Sequence, residues 1–309
     1  MTKTENTDMK KAICCLLFAL LTALLAASAC AEIMPLPLDS DTVYGYPLKE
    51  DGFISKDEYK DESIHVVVER FEYRYVDCIQ ATIKIVDPSQ IRTAKSSARF
   101  DDQEMIKATL MSKKANAVLA VNGDFFKQHV FGYTIRQEQP VRKRLRENAS
   151  GKYDVLMIDS MGDFHAVRKA TEESAQAKED ELAAMGRSVV NSFTFGPALI
   201  VDGEKQEFDQ WQWQASDKAQ RIAIAQVDDL TYMIFQCYGA TNPPAGLTLD
   251  SFANMMLSRC DSIRVGYNLD GGGSTNVIFG GKKLNENRDV RQICDILYFA
   301  SIDASGEEK

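Results

Sequence analysis

The sequence predicts an α+β fold: a single strand-rich domain with a mixed β-sheet and few helices, behind an N-terminal signal segment. Three observations support this. Short apolar runs rich in β-branched and aromatic residues recur along the chain, bounded by Gly, Pro, Asp and Asn. Only three stretches carry helical spacing with helix start or stop signals. No internal repeat, coiled coil or long low-complexity tract interrupts the pattern. A chain of 309 residues is long enough to bury a sizeable core in one or two domains.

The N-terminus predicts a leader. Lys10-Lys11 precedes an apolar run from Ala12 to Ala27, followed by the small residues Ser28-Ala29-Cys30-Ala31. The run is too short and alanine-rich for a membrane span. Residues 1–31 are therefore expected to be a signal peptide or lipoprotein leader, residues 32–62 an N-terminal extension, and residues 63–309 the domain. Signal peptidase would cut at Ala27-Ser28-Ala29 or Ala29-Cys30-Ala31; alternatively Ala27-Ser28-Ala29-Cys30 is a lipoprotein box and Cys30 carries lipid. Either route gives a secreted or cell-surface bacterial protein, attached to a membrane only through its leader or Cys30.

Within the domain, Ile64–Arg70 and Cys78–Val86 are expected strands, the second ended by Asp87-Pro88. A helix is expected over Asp101–Lys114, with acidic residues at its start and Lys113-Lys114 at its end. Ala117–Val121 is a short buried strand that delivers Asn122-Gly123-Asp124. Tyr153–Ile158 and Phe164–Val167 form a hairpin, and Thr171–Gly186 a polar helix with Gly186 as its C-terminal cap. Strands follow at Ser192–Ile200, Gln220–Val227 and Thr231–Tyr238. Thr248 caps a helix that runs to Arg259, and Ile293–Ile302 is the last strand.

Composition excludes some functions. A net charge of −9 argues against nucleic-acid binding, which needs clustered Lys and Arg. There is no GxSxG elbow, HExxH or P-loop. Outside the leader, Cys78, Cys237, Cys260 and Cys294 could pair as two disulfides or stay as buried free thiols. Their spacing does not suggest zinc, no cofactor is assigned, and a divalent metal is left open. Of three histidines, His65 and His165 lie in strands, and only His129 falls near a site-like segment.

Four segments carry candidate chemistry. Asn268-Leu269-Asp270-Gly271-Gly272-Gly273-Ser274 puts a carboxylate, three glycines and a hydroxyl after a strand, where backbone N–H groups can cradle an anion. Asn122-Gly123-Asp124 ends a buried strand. Gly196-Pro197 within a strand run predicts a bulge or close backbone approach. Arg221 opens an otherwise apolar strand, and a buried arginine of this kind needs an anionic partner, structural or substrate. The cluster Arg142-Lys143-Arg144-Leu145-Arg146 could guide an anionic polymer or be a solvated loop.

The order of these segments, with Asp289-Val290-Arg291-Gln292 after them, resembles the phosphodiester glycosidase family over residues 64–302. The Asn268–Ser274 loop is the most specific element. The resemblance implies removal of a sugar from a sugar-1-phosphate diester, of the N-acetylglucosamine-1-phosphodiester kind, on a cell-surface or extracellular glycan. It marks Asn122, Gly123, Arg221, Asp270, Gly271, Gly272, Gly273, Ser274 and Arg291. The family more often has a small residue where this chain has Asp124, and Pro-Val-Ser-Asn where it has Gln292-Ile293-Cys294-Asp295. The expected roles are Arg221 and Arg291 on the phosphate, glycine N–H groups on developing charge, and Asp270 or Asp124 as the carboxylate of glycoside hydrolysis. Asn122 and Ser274 would contact sugar hydroxyls or the acetamido group, and Gly123 and His129 are further substrate-binding candidates. The alternative is a non-catalytic module binding carbohydrate or anionic polymer on the same fold.

Overall fold

Short apolar runs, most of them buried on both faces, form the sheets that carry the core of this chain. The computed structural model describes residues 45–96, 104–124, 131–145, 153–208, 215–238, 246–286 and 291–302, all within one compact unit, residues 35–302. The leader, the possible anchor Cys30 and His129 lie outside the described residues. The strands before the first helix are β1 (Phe53–Ser55), β2 (Glu58–Lys60), β3 (Ile64–Tyr73), β4 (Val76–Ile85) and β5 (Ile91–Lys95). Helix α1 (Ala108–Lys114) leads to β6 (Ala117–Asn122), β7 (Gly132–Arg136), β8 (Gln139–Arg144), β9 (Val155–Asp159) and β10 (Phe164–Val167). Helix α2 (Glu172–Ala184) precedes β11 (Val189–Phe193), β12 (Ala198–Val201), β13 (Glu204–Lys205), β14 (Arg221–Asp228) and β15 (Thr231–Cys237). After helix α3 (Leu249–Arg259) come β16 (Val265–Leu269), β17 (Val277–Phe279), β18 (Lys282–Lys283) and β19 (Asp295–Ala300).

Two sheets form the frame. One has nine strands in the order β1-β2-β3-β4-β15-β14-β16-β12-β13; the other has five, β18-β17-β6-β19-β5. Ile79, Ile83, Ile222, Ile224, Tyr232 and Ile234 of the first meet Leu119, Val121, Val277, Leu297 and Phe299 of the second in one buried apolar cluster. Removing that much apolar surface from water is the main force holding the layers together. The opposite face of the nine-stranded sheet, with Ala223, Ala225, Phe235 and Cys237, is covered by Phe252, Ala253 and Met256 of α3. Helix α2 packs Ala175 and Leu182 near Tyr133, Met157 and Val189 of the smaller β7–β8 and β9–β11 sheets.

The α+β, strand-rich architecture with few helices is present, and the ladders refine it: every described pairing is antiparallel, so the sheets are not mixed. Residues 53–60, expected to be extension, instead form the hairpin β1–β2 and pair with β3, where Tyr59 is fully buried. The first helix is shorter than expected. Ile106 forms a backbone bridge with Ile293, Lys107 is extended, and the helix begins only at Ala108. The run Ser192–Ile200 divides into β11 and β12 at Gly196-Pro197, where Asn268 closes against the backbone: its N–H donates to the Pro197 carbonyl at 3.1 Å and its Nδ2 to the Gly196 carbonyl at 2.8 Å. Thr171 and Thr248 cap their helices by accepting from Ser174 and Ser251 N–H groups, and Gly186 at φ 73° ends α2. The β7–β8 hairpin was not expected. Its turn, Gln137-Glu138, holds two non-glycine residues at φ 53° and 63°, without the usual Gly or Asn signal.

Phe252 is the fully buried centre of the α3 face. Phe252→Ala should destabilise the fold by about 3–5 kcal/mol in urea unfolding; a loss below 1 kcal/mol would contradict this packing.

Candidate active site

The loop Asp270–Asn276 carries the chain from β16 in the nine-stranded sheet to β17 in the five-stranded sheet. One side chain holds both ends of it. Asn122, at the end of β6, donates from Nδ2 to the Asp270 carbonyl at 2.8 Å, and its Oδ1 accepts the Asn276 N–H at 3.0 Å. Asn122 is buried, so its amide braces the loop.

Two glycines are set by close approach. A Cβ on Gly123 would lie 2.5 Å from the Asp295 carboxylate, and one on Gly271 would lie 2.5 Å from the Gln220 carbonyl oxygen. Gly272 sits at φ 57°, and its N–H donates to the Gln220 carbonyl at 3.0 Å. This differs from the expected three-donor cradle, because the carbonyl of Gln220, the residue before β14, takes the Gly272 donor. Gly272 to Ser274 then form a single 3-10 turn.

Asp270 follows β16 and is buried. Burial raises its carboxyl pKa from 3.8 to about 6; a hydrogen bond from Ser274 and the charge of Arg291 act the other way, and Asp124 and Asp295 add to the rise. Arg291 donates from Nη1 to Ser274 Oγ at 3.2 Å and from its backbone N–H to the Gly273 carbonyl at 3.1 Å. Asp270, Ser274 and Arg291 therefore form a short polar chain on the loop.

Asp124 stands differently. The Thr194 N–H donates to Oδ2 at 2.8 Å and the Phe195 N–H to Oδ1 at 2.7 Å, so each carboxylate oxygen holds one backbone donor of the segment before Gly196. Burial again dominates and raises its pKa to about 6, opposed by Arg136 and the two N–H groups and assisted by Asp295.

Arg136 and Asp295 were not marked as site residues by the sequence. Arg136, at the end of β7, donates from Nε and Nη2 to Asp295 Oδ2 at 3.1 and 2.8 Å, and Nη2 lies 3.8 Å from Asp124 Oδ2. Its Nη1 donates to the Ile135 and Ser192 carbonyls, and the guanidinium lies 4.3 Å from the Phe193 ring centroid. Such a buried charge needs this degree of pairing. The signal was available: Arg136 ends an apolar alternating run, as Arg221 opens one, and Asp295 is the lone charge entering the last apolar strand. Asp124 and Asp295, two of the positions where this chain departs from the family pattern it resembles, meet on this one arginine.

Arg221 is the first residue of β14. Ile222 pairs with Leu269, so Arg221 and Asp270 are the next two residues along neighbouring strands. Its Nε donates to the Leu247 carbonyl at 3.1 Å and its Nη2 to the Asp217 carbonyl at 2.8 Å, and burial lowers its pKa. The Asp217 and Leu247 carbonyls thus orient this guanidinium. The structure therefore brings together Asn122, Gly123, Asp124, Asp270, Gly271, Gly272, Gly273, Ser274 and Arg291, with Arg221 alongside. The basic cluster is partly committed elsewhere: Lys143 pairs with Glu179 at 2.7 Å, and Arg144 lies over the Phe131 ring. All four described cysteines are free thiols, and among the described residues no group of three His, Cys, Asp or Glu is arranged to hold a metal ion.

A family model for phosphodiester glycosidases matches residues 115–300, well over half of the chain. The chain belongs to the phosphodiester glycosidase family. The match runs from β6 to β19 and contains the whole candidate site. Among solved structures, the catalytic domain of zebrafish N-acetylglucosamine-1-phosphodiester alpha-N-acetylglucosaminidase, auto-inhibited by its pro-peptide, shares the fold with a TM-score of 0.58 and 15% identity, over 86% of this chain and 91% of that one. A hypothetical protein from Synechocystis gives a TM-score of 0.50 and 13% identity, over 77% of this chain and 62% of that one. No curated protein matches the chain. The family is one of hydrolases acting on glycosidic bonds.

The buried carboxyls make stability depend on pH. An acid whose pKa rises on folding binds its proton more tightly when folded, so its protonation stabilises the fold at low pH, and that stabilisation is lost as pH rises from about 4 to about 6. Asp270→Asn removes one such group. Its urea-unfolding free energy should fall less steeply than the parent's across that window, and an unchanged slope would contradict burial of Asp270.

Proposed function

We propose that the protein hydrolyses the glycosidic bond of a sugar-1-phosphate diester of the N-acetylglucosamine-1-phosphodiester kind, as an exported bacterial enzyme acting on a cell-surface or extracellular glycan. Family membership supports the reaction class. The observation that carries the finer reading is the buried Asp270, joined through Ser274 to Arg291, with Arg221 next to it on β14. This links one carboxylate to the Arg291 guanidinium through Ser274, with Arg221 one step away in the strand register, which suits a sugar carbon on one side and a phosphate leaving group on the other.

The two candidate carboxylates divide by their partners. Asp124 has a backbone N–H on each oxygen, which suits a structural brace between β6 and the 194–197 segment. Asp270 is the better candidate for the chemistry. Above pH 6 it is mostly ionised, as a nucleophile or a base for water requires. The leaving phosphate monoester is already a weak base and needs charge stabilisation more than a proton. Arg291 and Arg221 would supply that by charge-assisted hydrogen bonds, and Ser274 would keep Asp270 oriented. The signal-like N-terminus supports export, through a cleaved leader or a lipid on Cys30.

Asp270→Asn should lower kcat on a glycosyl phosphodiester by roughly 10²–10⁴-fold while the circular dichroism spectrum stays unchanged. Retained turnover, or binding without turnover by the parent enzyme, would refute this assignment.

The arginine roles are tested by comparing leaving groups. Arg291→Ala should cost roughly 10²–10³-fold on a phosphodiester but less than about tenfold on an aryl glycoside of the same sugar. Equal losses on both would show that Arg291 does not act on the phosphate.

Ser274→Ala removes a hydrogen bond that favours ionised Asp270, so the acidic limb of the kcat/KM profile, near pH 6, should move to higher pH. A limb that stays in place or moves lower would assign the titration to another group.

A further inference from the structure

One row of residues crosses four strands of the nine-stranded sheet. Phe71 on β3 pairs with Cys78 on β4, Cys78 with Cys237 on β15, and Cys237 with Arg221 on β14. Two cysteines therefore face each other directly, beside the arginine of the candidate active site. The ladder also fixes the kind of pair. The Tyr238 N–H donates to the Asp77 carbonyl at 2.9 Å, one residue outside the cysteine pair on each strand. Cys78 and Cys237 thus occupy a non-hydrogen-bonded site, where opposed Cα atoms are about 4.5 Å apart and side chains come closest. That separation lies within the roughly 4.4–6.8 Å that disulfides span. Both side chains lie on the face covered by α3, in one buried cluster with Val76 and Phe252. In this thiol state, Cys78 Sγ points to the Val76 carbonyl at 3.3 Å and Cys237 Sγ to the Ala219 carbonyl at 3.6 Å.

We propose that Cys78 and Cys237 are a dithiol–disulfide pair, joined by a cross-strand bond that ties β4 to β15 beside Arg221 when the chain folds in an oxidising compartment. The oxidant is a small-molecule disulfide. One cysteine thiolate attacks it, forms a mixed disulfide and releases one small thiolate. The second cysteine attacks the mixed disulfide, closes the protein bond and releases the other small thiolate. Two protein thiols are oxidised, one disulfide is reduced, and the two protons leave on the released thiols. Burial pushes both thiols up, Cys78 to about 12 and Cys237 to about 11, so in the finished fold neither is an effective thiolate. The bond therefore forms during folding, before α3 covers the row. The inference does not depend on the proposed glycosidase activity.

The test is to refold the reduced full chain in a glutathione redox buffer, alkylate the remaining thiols, digest and map by mass spectrometry. The expected result is a Cys78–Cys237 cross-linked peptide pair that separates on reduction, with Cys260 and Cys294 alkylated. The oxidised protein should melt roughly 5–10 °C above its reduced form, because the bond closes a long loop, and Cys237→Ala should abolish that difference. Cys78→Ala serves the same purpose if Cys237→Ala does not fold. Full alkylation of Cys78 and Cys237 in chain refolded to its native circular dichroism spectrum, or pairing of either with another cysteine, would overturn the proposal.

Discussion

The candidate site depends on one buried amide. The loop from Asp270 to Asn276 has to leave one sheet and enter another, and a passage of this kind leaves backbone groups without ladder partners. Asn122 satisfies one acceptor and one donor of that passage, at 2.8 and 3.0 Å, from the end of β6. A buried, fully bonded amide is strongly directional, and leaving its partners unmade would cost the desolvation of each. The glycines follow from this geometry. The loop runs so close to Gln220 that there is no room for a side chain at Gly271, and at Gly123 the Asp295 carboxylate takes that room.

Electrostatics builds on that frame. Three carboxylates, Asp124, Asp270 and Asp295, lie close enough to affect one another, and burial raises the proton affinity of the first two. Arg136 neutralises Asp295 and approaches Asp124, and Arg291 reaches Asp270 through Ser274. The arrangement separates a closed pair, Arg136 with Asp295, from a more open one. A buried pair of the first kind is weak evidence for stability, and its guanidinium is also held by the Ile135 and Ser192 carbonyls.

Much of this was legible in the sequence, for a physical reason. β6, β14 and β16 are short apolar runs, and each ends or begins with a polar group that an apolar core would not select. Asn122, Arg221 and Asp270 therefore stood out. What the sequence left hidden was division of labour. Nothing in the residue types says that Asn122 would brace the loop, that Gln220 would take the Gly272 N–H, or that Asp124 would be held by the Thr194 and Phe195 N–H groups, because those partners lie far away in sequence. The β7–β8 hairpin escaped because Gln137-Glu138 reverses the chain without turn-forming residues, and Arg136 escaped with it. The hairpin β1–β2 escaped because its strands are three residues each, too short for alternation to register.

The five-stranded sheet has an unusual assembly history written into its strand order. β19 lies between β6 and β5, so a central strand of that sheet is the last of the described strands to be synthesised. Until Asp295–Ala300 emerges, β6 and β5 have no neighbour on their facing edges, Arg136 has no Asp295, and Gly123 has no carbonyl for its N–H. The carboxylate cluster therefore cannot form stepwise on the growing chain. It assembles only once β19, the last of the described strands, has been made.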